Sequence, residues 1–435
     1  MAMKLSLLRS IGVAAIGVAS ASVLGRGLGV GGYGRYQLVA NLAAQIGQVC
    51  EAGVGTAIVA LRKHGITDFN TALSVVGRFF LAMTVPTLFV SCGLVYLLVD
   101  NAPWSLMAVG CVISISTLAQ GLAIGVFRTI GKTRTANALM VLPPMFNLPL
   151  AATLWWTGSL TPVAALEVLA CAYALMVVFA VSWLIQLLRH APPSMEVALS
   201  ERVSLGELFK VSWKSSASRI SQLLIYRFDL FLLAFFVGEE SLGIYVPAVF
   251  LASQLNHFGD SVGFVLYPSL ARQEMNSTHA GEVCRGLMLV ACVTSTVIAI
   301  ASPWVLWLVW GSGYSSSVVP LMLLLPGYVF LTPAKALSAY LAVATQFEAN
   351  LKASLSGLAV NTILNRLLIP GFGVVGAAIA TSVALVCVSA ILSFQFQRRT
   401  GLRIRDFWIP RATDVQRGLA MFTSRRKPIS LIDAQ

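Results

Sequence analysis

Residues 30–51 read VGGYGRYQLVANLAAQIGQVCE, and residues 239–260 read EESLGIYVPAVFLASQLNHFGD. A shift of 209 positions lays one on the other. Gly34 then falls on Gly243, Tyr36 on Tyr245, Leu42 on Leu251, Ala43 on Ala252, Gln45 on Gln254 and Glu51 on Asp260. Each stretch reads as a loop followed by an apolar helix. The agreement points to two related halves, with chance matching of small residues as the competing reading.

The surrounding composition identifies the solvent. Of 435 residues, 57% are hydrophobic and 11% charged, and the mean hydropathy is +0.82. Soluble domains carry roughly 25% charged residues. The chain therefore reads as an all-α polytopic membrane protein, whose backbone polar groups must be satisfied inside helices. A spanning helix needs about 20 mainly apolar residues, and about twelve segments qualify. They are 5–25, 36–61, 73–99, 104–127, 137–157, 162–188, 208–237, 241–270, 285–310, 319–344, 350–369 and 373–396. Turn residues such as DNAP, GSLTP, GSGYSSS and PGFG separate them. Pro143, Pro144 and Pro149 predict a broken or kinked fifth helix. The N-terminus resembles a signal peptide, but the many later spans favour a retained first helix.

The polar link HAPPSMEVALSERVSLGE, 190–207, divides the chain. The expected organisation is a six-helix bundle over 1–190, a cytoplasmic link over 191–207, a second six-helix bundle over 208–397 and a basic cytoplasmic tail over 398–435. Arg62, Lys63, Arg128, Lys132, Arg134, Arg189, Arg202, Lys210, Arg272, Arg285 and Lys352 fall in alternate loops or at their edges, on the side of Lys4, Arg9 and the tail QRRTGLRIRDFWIPR, while the opposite loops hold Arg26 and Arg35 with Asp100, Glu239 and Glu240. That bias marks the cytoplasmic side, so both termini are placed there. Halves that start on the same side are parallel repeats about an axis along the membrane normal, a transporter architecture with a central cavity. This topology explains most of the +13 net charge without nucleic acid as a partner.

Some motifs mislead. GVGGYG (29–34) and GFGVVG (371–376) both fit GxGxxG. A dinucleotide site needs a preceding strand and an acidic residue about 20 positions later. The surroundings here are apolar helix, so these glycines are read as turns and close helix packing. The seven cysteines are scattered through apolar segments without CxxC or metal-ligand spacing, and are read as small packing residues. No metal site or cofactor motif is found.

Polar stripes carry the functional reading. The segment SRISQLLIYRFD (218–229) holds Arg219, Arg227 and Asp229 inside an expected span. At 100° per residue, Ser212, Ser215, Arg219, Gln222, Tyr226 and Asp229 share a helix face, and Arg227 flanks it. Ser253, Asn256, His257, Asp260 and Tyr267 share a face of the next helix, as do Gln37, Asn41, Gln45, Gln48 and Glu51 of the second. A charge at the centre of a span costs about 2.5–3.5 kcal/mol even on lenient scales. Three such charges exceed the roughly 4–7 kcal/mol returned by a dozen large apolar residues. The stripes must face partners or water. An internal ion pair that locks helices together is one reading; a hydrated substrate cavity is the other. Lys335 and Arg366 either add positive charge to that cavity or snorkel from helix ends. A basic cavity suits phosphate or diphosphate, which Arg grips with a planar fork, and the neighbouring Ser, Gln and Tyr suit sugars. The aromatic segments LWWTG and PWVLWLVWGSGY read as an interfacial belt.

The stretch LGRGLGVGGYGRYQLVANLAAQIGQVCEAGVGTAIV resembles the opening of bacterial polysaccharide flippases, the O-antigen and exopolysaccharide transporters of the multidrug/oligosaccharidyl-lipid/polysaccharide exporter superfamily. YRFDLFLLAFFVGEESLGIYVPAVFLASQLNHFGDSVGFVLYPSLAR resembles their seventh and eighth helices, and FGVVGAAIATSVA their last. The resemblance spans most of residues 5–400 and lies in the order and spacing of individually weak motifs. It implies two six-helix bundles, a V-shaped cavity, alternating access and export of an undecaprenyl-diphosphate-linked oligosaccharide. It implies an inner-membrane location, membrane lipids as partners, and a polysaccharide polymerase and chain-length regulator beside it. By position it makes Arg26 and Asp229 functional.

The expected substrate-binding residues are thus Arg26, Arg219, Gln222, Tyr226, Arg227, Lys335 and Arg366. Glu51, Asp229, His257 and Asp260 are the candidates for coupling or charge balance, with H+ or Na+ as the coupling ion. No catalytic residue is expected. The rivals are a multidrug exporter of the same superfamily, which favours an acidic cavity, and an integral-membrane polymerase or ligase. Such enzymes carry a long outer loop, and the outer loops here are short.

Overall fold

A computed structural model of the chain describes residues 2–51, 69–99, 103–190, 205–271, 275–345 and 347–411. Side chains are described there except at 2–14, 69–72, 74, 75, 129, 133, 188–190, 205–215, 219, 264, 265, 268 and 271. Residues 191–204 of the expected link, the tail beyond 411 and residues 52–61 of the expected second helix lie outside the described residues, while 205–207 of the link belong to a helix.

The described chain is helical throughout. The order is α1 (Ala2–Glu51), α2 (Phe69–Leu98), α3 (Trp104–Thr129), α4 (Thr133–Trp156), α5 (Pro162–His190), α6 (Leu205–Val237), α7 (Glu239–Ala271), α8 (Ser277–Val309), a 3-10 turn (Ser312–Ser317), α9 (Val318–Ala344), α10 (Glu348–Thr400) and the short α11 (Ile404–Trp408). Among the described residues, nine helices are long and apolar enough to cross a membrane. Large apolar side chains such as Leu81, Phe89, Leu97 and Leu367 point outward, as a lipid solvent requires.

Two of these helices hide a break each. α1 has non-helical backbone at Gly29, and α10 at Gly373. The 53 residues of α10 would measure about 80 Å if straight, against a hydrocarbon core of about 30 Å. Instead α10 folds back on itself. Asn361 donates to Thr381 at 3.3 Å, though 20 positions separate them. The expected spans 350–369 and 373–396 are the two arms of this hairpin. The expected loop at 26–35 is helical on either side of Gly29, where the backbone is kinked. The proline-rich fifth span is not broken: α4 is helical through Pro143, Pro144 and Pro149, as spanning helices can be where neighbouring helices and ordered groups re-satisfy the freed backbone.

α1–α5 pack on one another, and α6–α10 do the same. The two groups meet mainly through α1 and α7. The 209-residue shift reappears in the backbone. Gly29 (φ 68) and Gly238 (φ 100) are a repeat-related pair, each left-handed, each preceding the second helix of its half. A side chain on Gly34 would strike the carbonyl oxygen of Glu239, and one on Gly243 would strike that of Val30. Val30 and Glu239 are themselves related by the same shift. Such reciprocal contact is the signature of a two-fold relation at an interface. Here glycine is required, because only the missing Cβ lets the two backbones approach.

Candidate functional site

A cavity of about 680 Å³ lies among α6, α7, α9 and α10, with Gln45 and Gln48 of α1 on its side toward the first half. Its volume falls in the range of about 300–1,000 Å³ usual for small-molecule sites. α7 lines it from Val249 to Tyr267 and α9 from Tyr328 to Ala342. Both are the portions next to the helix ends at Ala271 and Ala344. The cavity therefore lies toward that end, opposite the Gly34–Gly243 contact. His257 and Asp260 are exposed within it.

The stripe read on α7 is the one the fold gathers completely: Ser253, Asn256, His257, Asp260 and Tyr267 all line the cavity. From α6 come Ser218, Gln222, Tyr226 and Arg227. Gln222 donates to Ser354 of α10 at 3.4 Å. Arg227 is half-buried and has no hydrogen-bond or ion-pair partner among the described residues. Lys335 reaches in from α9, its ammonium 2.5 Å from the Asp260 carboxylate. The described charges facing the cavity are thus two cations, Arg227 and Lys335, against the single carboxylate of Asp260. The Arg219 side chain lies outside the described residues.

Four expected site residues sit elsewhere. Arg26 lines a separate crevice at the Gly29 end. It donates to the carbonyls of Trp307, Leu308 and Val309, which belong to the last turn of α8. A guanidinium there satisfies carbonyls left open by the helix end and complements its dipole. Arg366 is exposed, its guanidinium 5.2 Å from the centre of the Phe236 ring. Glu51 is buried against Gly121 of α3 and does not line the cavity.

Asp229 is the fourth. The helix-wheel reading puts it with Gln222 and Tyr226, but it points into the packing between α6, α7 and α10. It is 1% exposed. Its carboxylate accepts from the Tyr245 hydroxyl at 2.5 Å, the Thr381 hydroxyl at 2.9 Å and the Leu230 backbone N–H at 2.9 Å. Asn361 extends the chain to Thr381, and Asn365 donates to Asn361 at 2.9 Å. The expected alternative of an Arg227–Asp229 ion pair is not formed: no cation lies within salt-bridge distance of Asp229 among the described residues. The carboxylate, hydroxyl and amide oxygens of this network, with the buried and unpartnered Oδ1 of Asn365, are the oxygen ligands that a small hard cation takes. Sequence reading missed Asn361, Asn365 and Thr381. Two asparagines four apart in the apolar run LAVNTILNRLLIP were the signal, since that spacing puts both on one helix face.

These features define a membrane-embedded helical bundle with a cavity in its second half whose wall mixes apolar side chains with polar and basic ones, closed at the opposite end by the Gly34–Gly243 contact. Solved structures of MOP-superfamily transporters have a similar fold. No family model and no curated protein matches the chain. Solved structures do. The lipid II flippase MurJ, in an inward closed conformation, matches with a TM-score of 0.75 over 98% of this chain and 94% of that chain, at 14% identity. An inward-facing MATE-family multidrug resistance transporter of the MOP superfamily matches at 0.64, over 88% and 93%, with 16% identity. An outward-facing MATE-family structure gives 0.61, over 91% and 94%, with 15% identity. At such identities the likeness is one of fold.

Proposed function

We propose that this protein is a transporter that moves an undecaprenyl-diphosphate-linked oligosaccharide across the bacterial inner membrane, for O-antigen or exopolysaccharide synthesis, with both termini cytoplasmic. The observation that carries the reading is the half-buried Arg227, which faces a polar cavity with no ion-pair partner among the described residues. A cation removed from bulk water is costly unless an anion completes it. Lys335 adds a second positive charge from α9, paired with Asp260 in this structure. Gln45, Gln48, Gln222, Ser253 and Asn256 offer the neutral donors and acceptors that sugar hydroxyls need. The lipid tail stays in the bilayer.

The halves 1–190 and 208–397 rock about the Gly34–Gly243 contact and expose the cavity to each side in turn. Tyr226 and Gln222 belong to the substrate wall, and His257 and Asp260 to its charge balance; Arg219 remains a candidate substrate contact from the sequence. The Asp229 network, with Tyr245, Thr381, Asn361 and Asn365, is the place for a coupling H+ or Na+. Transport rather than catalysis is the activity; a polymerase and a chain-length regulator act beside it. A multidrug exporter is the second reading, because several structures of this fold are multidrug transporters. The charge of the cavity argues for an anion over an organic cation.

The test is the lipid-linked glycan that accumulates on deletion of the gene, and its clearance by variants. Arg227→Ala should abolish clearance at normal protein level. Arg227→Lys should restore it in part, since Lys keeps the charge and loses the fork. Normal clearance by Arg227→Ala, or no accumulated lipid-linked glycan, overturns the reading.

A further inference from the structure

Lys335 and Asp260 face each other across the cavity wall with unequal freedom. The Lys335 side chain is 17% exposed and that of Asp260 is 62% exposed. The lysine is held by close packing of α7 on α9. Gly259 leaves room for it: a Cβ there would come within 2.8 Å of both the Lys335 stem and the Thr332 carbonyl oxygen. Thr332 in turn donates to the Leu255 carbonyl at 3.2 Å, tying the same two helices together. The ammonium is therefore a fixed charge on the wall, while the carboxylate is a solvated group on the rim. Nothing else described binds the Lys335 ammonium.

We propose that Asp260 is a built-in competitor for the substrate's anion at Lys335. In the empty cavity it neutralises a cation that would otherwise be left half-desolvated. An entering diphosphate, with more charge and more acceptor oxygens, takes its place and pushes Asp260 back into water, where a carboxylate is well solvated. When the cavity faces the other side, Asp260 returns to Lys335 and helps expel the product. The pair thus lowers affinity and speeds release. This inference rests on the diphosphate reading of the cavity, and Arg227 supplies the cation that the exchange does not switch off.

The test titrates the full-length protein in detergent at low salt with farnesyl diphosphate and, separately, with inorganic pyrophosphate. The first stands for a lipid headgroup and the second for the free anion. Asp260→Asn should bind farnesyl diphosphate about twofold to fivefold more tightly than wild type, the range expected for losing a partly exposed ion-pair rival. Its transport should nonetheless be slower. Lys335→Gln should weaken binding, and adding Asp260→Asn to it should bring no further gain, because the two residues act as one unit. The same pattern with pyrophosphate shows the exchange to be a property of the headgroup. Should Asp260→Asn express poorly, Asp260→Ser makes the same comparison. If wild type binds neither compound, the diphosphate reading fails. If wild type binds and Asp260→Asn leaves affinity unchanged, or tightens it equally in the Lys335→Gln background, the exchange alone is overturned.

Discussion

Arg227 and Asp229 stand two residues apart on α6 and face opposite environments. Arg227 looks into a polar cavity and has no hydrogen-bond or ion-pair partner among the described residues. Asp229 is sealed in the helix packing, with three hydrogen bonds to one carboxylate. The first arrangement leaves a charge for something that arrives. The second commits a charge to what is already there. Adjacent polar residues in one span thus serve different ends, and the difference lies in how completely the fold satisfies them.

Mutation should separate the two most sharply at Asp229. Asp229→Ala removes the acceptor of the Tyr245 and Thr381 hydroxyls and of the Leu230 N–H. Each buried group left unmade costs about 1–3 kcal/mol, so about 3–5 kcal/mol of stability should be lost. Thermal denaturation in detergent should show a large drop in midpoint, or the protein should fail to accumulate. Arg227→Ala is the matched control. It removes no described hydrogen bond and should destabilise far less than Asp229→Ala. Equal destabilisation by both would erase the distinction between the cavity and the network.

The next effect tests the closed end against the open one. Gly243→Val puts a branched side chain against the Val30 carbonyl, where two backbones meet. Neither backbone can yield without parting the halves, so a cost of about 1–3 kcal/mol in the closed-end state is expected. A cysteine placed at Gly31, near that contact, should then react faster with a membrane-impermeant maleimide. An unchanged rate would mean that the halves do not pivot there.

Much of this plan was readable from the chain. The 209-residue shift, read from small and aromatic residues alone, also relates the two left-handed glycines and the reciprocal glycine contact. The α7 stripe holds five residues, and all five line the cavity. The rest lies apart from the cavity for local reasons. A helix wheel assigns angles, not neighbours, and on α6 the rotation between Tyr226 and Asp229 is enough to pass from the cavity to the α10 interface. Arg26 and Arg366 lie outside this cavity, and sequence cannot show what a charge meets in the fold. For Arg26 it is the open carbonyls of α8, and for Arg366 an aromatic face. The Asn361–Thr381 contact depends on a reversal at Gly373, so no pattern within one helix could reveal it.

The smallest effect concerns the ion pair that joins the halves at the closed end. Arg35 of α1 meets Glu239 of α7 at 2.7 Å, with side chains 40% and 17% exposed. Pairs this open to solvent contribute about 0.2–1 kcal/mol and weaken with salt. Its position still gives it leverage, because Glu239 is also the residue whose carbonyl touches Gly34. Glu239→Gln keeps the shape and removes the attraction. It should favour opening of that end by up to about fivefold, the equivalent of about 1 kcal/mol. Maleimide labelling at Gly31→Cys should rise by that factor at low salt, and the gain should shrink toward nothing at about 1 M salt, where the Debye length is about 3 Å. Stability in detergent should barely move. A salt-independent gain would assign the effect to altered packing around Glu239 rather than to the ion pair.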